Sequence, residues 1–63
     1  MQNVIVTDRN TGQQFEVLAG PYLVEAEDGW INYVLGAWVD GPSAGELEQM
    51  SLEHLTIYFR RWN

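Results

Sequence analysis

Sixty-three residues carry nine carboxylates against three arginines, with no lysine and no cysteine, for a net charge of −6. That length allows one domain, residues 1–63, and the missing thiols exclude a disulfide framework or a thiolate metal centre. The sign of the charge argues against direct binding to nucleic acid or an anionic membrane, and no run approaches the roughly 18 apolar residues of a membrane span.

Met1-Gln2-Asn3 carries no basic residue and leads into no long apolar run, so no signal peptide is expected and the cytoplasm is the expected location. Val4-Ile5-Val6-Thr7 is β-branched and predicts a strand. Asp8 to Gly12 is turn chemistry, and Gln13 to Leu18 alternates again, with Phe15 and Val17 on one face and Gln14 and Glu16 on the other. These two segments predict a first hairpin. Gly20-Pro21 predicts the end of the second strand, because proline donates no ladder hydrogen bond.

Tyr22-Leu23-Val24 resumes extended structure, and Glu27-Asp28-Gly29 predicts a second tight turn. Trp30 to Leu35 is almost continuously apolar and reads as a central strand covered on both sides. Gly36 inside that run predicts a bulge or a close approach of another backbone. Asp40-Gly41-Pro42 stops it.

Ser43-Ala44-Gly45-Glu46 has the spacing of a capping box and predicts a short helix from Ala44 to Met50. Ser51 predicts a second cap, with Met50 and Leu55 as its hydrophobic staple. On a helical wheel Leu52, Leu55, Tyr58, Phe59 and Trp62 share one arc and Ile57 lies off it. Glu53 in the first turn and Arg60 and Arg61 in the last suit the helix dipole. Thr56-Ile57-Tyr58-Phe59 also favours a strand. The expected fold is therefore α+β: an antiparallel sheet of three or four strands, built from N-terminal hairpins, with a C-terminal amphipathic helix. The alternative is an all-β small SH3-like barrel in which the last segment is a strand, preceded by a helical turn.

Little in the chain points to catalysis. His54 is the single histidine, and the carboxylates near it in sequence do not fall at the i±3 or i±4 positions of a helical metal site. Ser43 and Ser51 are accounted for as caps, and no nucleophile elbow, phosphate loop or calcium loop is present. No cofactor, no metal and no enzyme activity is expected.

The charge pattern is the strongest functional signal. From Glu16 to Glu53 there are eight carboxylates and no lysine or arginine. Glu25, Glu27 and Asp28 form the densest group, and Glu46 and Glu48 a second. Three Trp, three Tyr and two Phe are many for so small a core, and Trp30 or Trp38 could anchor a partner. The expectation is a binding protein whose partner is a protein with a basic surface. Imitation of a phosphate backbone, as by a phage or mobile-element inhibitor of a nucleic-acid-processing protein, fits the size and charge. The alternative is a structural or assembly subunit whose surplus aromatics form a homo-oligomer interface.

Overall fold

The computed structural model describes residues 3–61, so the expectations for Met1, Gln2 and Trp62 lie outside the described residues. Val4–Asp8 forms β1 and Gln14–Ala26 forms β2, paired antiparallel from Val4 opposite Val17 to Thr7 opposite Gln14. Asp8 shapes the turn between them, its Oδ1 accepting from the backbone N–H groups of Asn10 at 2.8 Å and Thr11 at 3.2 Å. The first hairpin is thus the one the local pattern predicts.

Gly20-Pro21 does not end β2. The strand runs on to Ala26 through two register shifts, between Val17 and Ala19 and between Ala19 and Tyr22. Such bulges bend a strand without terminating it, and they absorb the residue that cannot donate. Gly20 holds φ at 104°, and a Cβ there would lie 2.8 Å from the Tyr33 carbonyl oxygen, so a side chain is excluded on both counts.

Gly29–Trp38 forms β3, paired with β2 from Ala26 opposite Gly29 to Phe15 opposite Trp38. Glu27 and Asp28 alone make the turn. Leu47–Ser51 forms β4 against β3, with Met50 opposite Val34. The helix expected from Ala44 to Met50 is therefore absent. Ser43 and Glu46 close a tight turn instead, the Glu46 N–H donating to the Ser43 carbonyl at 2.9 Å. A four-residue capping pattern cannot outweigh a ladder along β3, because isolated short helices are marginal.

Leu52–Tyr58 forms α1, and Phe59–Arg61 forms β5 against β1. Ser51 caps α1 as expected, its Oγ accepting from the His54 N–H at 3.1 Å. The helix and strand readings of residues 52–62 each hold for part of the segment. Arg60 and Arg61 consequently sit opposite Thr7 and Val6 on a strand, not in the last turn of a helix. The result is a five-stranded antiparallel sheet in the order β4-β3-β2-β1-β5 with one short helix, one or two strands beyond the three or four of the α+β expectation.

Val6, Phe15, Val34, Met50 and Phe59 form the buried core, with Val17, Trp38, Leu52 and Leu55 packed around it. Phe15 is fully buried between two aromatic neighbours, its ring centre 5.1 Å from Trp38 and 5.9 Å from Phe59. Gly36 is where the sequence places a close approach: a Cβ there would overlap the Glu16 carbonyl oxygen and the edge of the Phe15 ring. β3 is not covered on both sides along its length. Its N-terminal half is open, with Trp30 65% exposed and Ile31 38%.

Candidate functional site

Side chains alternate along β3, so Trp30, Asn32, Val34, Gly36 and Trp38 share one face. Val34 is core, and α1 packs over this face through Leu52 and Leu55. Trp30 and Asn32 carry the same face beyond the core, toward the turn. Glu25 lies directly opposite Trp30 on β2, and such pairs have Cβ atoms about 4.5–5.5 Å apart on a common face. Glu27 and Asp28 follow at the tip.

A cleft of about 460 Å³ opens where this end of the hairpin meets α1. Trp30, Ile31 and Asn32 make one wall, and Leu52, Glu53, Thr56 and Ile57 make the other. Ile57 is 52% exposed beside it. Glu53 thus brings a carboxylate to the cleft from an element distant in sequence. An apolar floor with acids at its margin and no base can receive a ligand that is apolar in part and positively charged in part.

The seven residues singled out from the sequence do not form one surface. Glu25, Glu27, Asp28 and Trp30 gather at the turn end of β3. Trp38, Glu46 and Glu48 lie at the other end, Trp38 eight residues along β3 from Trp30 at about 3.3 Å each before bending. Trp38 is held by the core aromatics, its ring centre 5.8 Å from Phe59, and its Nε1 donates to Glu48 Oε1 at 3.0 Å. Glu46 serves the β3–β4 loop through its backbone, which accepts from the Trp38 N–H at 3.1 Å. Asp40 is occupied in the same way, its Oδ1 accepting from the Gln14 N–H at 2.8 Å.

Sequence reasoning did not connect α1 to Trp30. Ile57, off the apolar arc of the helix, is the one sequence signal of this second wall. His54 is exposed and lies on Tyr58, ring centres 4.6 Å apart, while Ser51 Oγ bonds its backbone and not its imidazole. Among the described residues no three of His, Cys, Asp or Glu gather where they could hold a metal ion. No described helix is long and apolar enough to cross a membrane.

No protein-family model matches the chain, and no curated protein or solved structure matches it either.

Proposed function

We propose that this chain is a non-enzymatic acidic binding protein that docks the turn end of its β2–β3 hairpin on the basic surface of a partner protein. The observation that carries this reading is an exposed Trp30 with Glu25 opposite it on the ladder and Glu53 lining the apolar cleft beside it, next to the acidic turn of Glu27 and Asp28. Carboxylates at such a site steer a cationic partner, and a large exposed aromatic supplies the anchor. Glu46 and Glu48, in the β3–β4 loop and on β4, put a second pair of acids beside the far end of β3. Two such acidic groups suit a groove that ordinarily binds phosphates, which supports an inhibitor of a nucleic-acid-processing protein, as a phage or mobile element would encode, as the biological setting. The bent β2, the return of β5 to β1 and the helical turn between β4 and β5 support the finer description of the fold as a small SH3-like barrel.

Steering by exposed charge weakens as salt shortens the screening length from about 14 Å to about 6 Å over the range 50–300 mM. Affinity capture from the lysate of the organism that carries the gene is expected to retain a basic protein at the lower salt and to lose most of it at the higher. The triple variant Glu25→Gln, Glu27→Gln, Asp28→Asn is expected to lose it at both. Retention indifferent to salt and to that variant would refute the reading.

A second reading rests on the opposite face of the sheet. Val24, Ile31, Tyr33, Leu35 and Leu47 alternate outward there, and Leu47 is 66% exposed. An assembly subunit would cover that face with a second copy. Light scattering at micromolar concentration decides between the two, since a monomer is expected from the docking reading and excludes an obligate assembly.

A further inference from the structure

We propose that the cleft between the β2–β3 hairpin and α1 is the anchor site of this docking surface, and that its occupant is a short partner segment pairing a large apolar side chain with a lysine or arginine. The inference rests on the docking reading above and adds to it the chemistry of the segment recognised.

The volume, about 460 Å³, lies within the usual range of ligand pockets, about 300–1,000 Å³, and exceeds what one side chain fills. Trp30, Leu52 and Ile57 present apolar side chains to it. Trp30 and Ile57 are largely exposed in the free protein, so covering them removes apolar area from water. That favours an apolar side chain at the floor.

The margin asks for something else. Glu53 lines the cleft from α1, and Glu25 stands across the ladder from Trp30. Among the described residues no arginine lines the cleft; Arg61 lines a separate hollow beyond Thr56, with Val4, Val6 and Phe59. A purely apolar ligand would strip water from these carboxylates and leave them unpaired, which is costly. A ligand carrying a cation satisfies them, and the Trp30 indole face gives that cation a second attraction. A polycation without apolar side chains meets the acids but leaves the floor wet. Both features are needed together, and that joint demand separates this site from general attraction to a negative protein.

The test uses fluorescence anisotropy with three labelled peptides of equal length: alternating leucine and lysine, alternating serine and lysine, and alternating leucine and glutamate. The leucine–lysine peptide is expected to bind, the serine–lysine peptide at least about tenfold more weakly, and the leucine–glutamate peptide not at all. Trp30→Ala and Ile57→Ser alter exposed side chains outside the core, and each is expected to weaken the leucine–lysine peptide about tenfold or more. Glu53→Gln is expected to weaken it several-fold and to flatten its salt dependence. Unchanged affinity in both Trp30→Ala and Ile57→Ser overturns the cleft as the anchor. If binding still falls with salt in that case, the docking reading survives without it. Equal binding of the two lysine peptides overturns the apolar requirement, and failure of both to bind overturns the anchor and the docking reading together.

Discussion

Phe15→Ala is expected to leave the protein unfolded in buffer at room temperature. Phe15 has no exposed surface, and its contacts with Trp38 and Phe59 join β2, β3 and β5 into one core. Truncating a buried phenylalanine to alanine costs about 3–5 kcal/mol, through lost transfer energy and the cavity left behind. A domain of 63 residues has roughly 3–9 kcal/mol in all, at about 0.05–0.15 kcal/mol per residue. No disulfide adds to that, and only five large apolar residues are buried among those described. Phe15→Leu keeps most of the volume and is expected to fold with a urea midpoint lowered by about 1–2 M, given about 1 kcal/mol per M for a small domain. Tryptophan emission follows the transition, since Trp38 packs on Phe15 whereas Trp30 is already in water. A Phe15→Ala protein that retains a cooperative transition near the wild-type midpoint contradicts this account of the core.

Gly36→Ala is expected to cost about 3 kcal/mol, more than most insertions of a single methyl, which cost about 1–3 kcal/mol. The reason is what the methyl would meet. One obstacle is the backbone carbonyl of Glu16 on the neighbouring strand, which cannot retreat without opening the ladder at Val17. The other is the Phe15 ring, which is closed in by Trp38 and Phe59. A double-mutant cycle separates these causes. In a Phe15→Leu background the alanine is expected to cost at least about 1 kcal/mol less, as contacting residues are coupled by about 0.5–3 kcal/mol. Strict additivity would assign the whole penalty to the Glu16 carbonyl.

Features settled within a few residues were legible in the sequence. The Asp8–Gly12 turn, the Glu27–Asp28 turn and the Ser51 cap each follow from the chemistry of neighbouring side chains. What failed depended on partners remote in sequence. Ala44 to Met50 carries a helix-start pattern, yet residues 47–51 lie as a strand because β3 offers them a ladder. Phe59 fits the helical arc, yet it reaches the core from β5 because β1 has a free edge there. Gly20-Pro21 reads as a stop, and the paired strand makes it a bend. The candidate site divides the same way. Trp30 and the acids at the tip could be picked out by residue type, whereas the wall made by Leu52, Glu53, Thr56 and Ile57 exists only through the path of the chain after β4.

The bend at Gly20 also divides the molecule in a way the buried residues make visible. On the near side of it β2 carries Phe15, and β1 and β3 carry Val6 and Val34. On the far side, from Pro21 to Tyr33, no residue is buried. That stretch is held by ladder hydrogen bonds and its own two-residue turn, so it can open from the tip inward at far less cost than global unfolding. Opening would halt at the bulge, where the core begins. The hairpin's share of the surface offered to a partner thus forms a separate cooperative unit, while the α1 wall is tied to the core through Leu52.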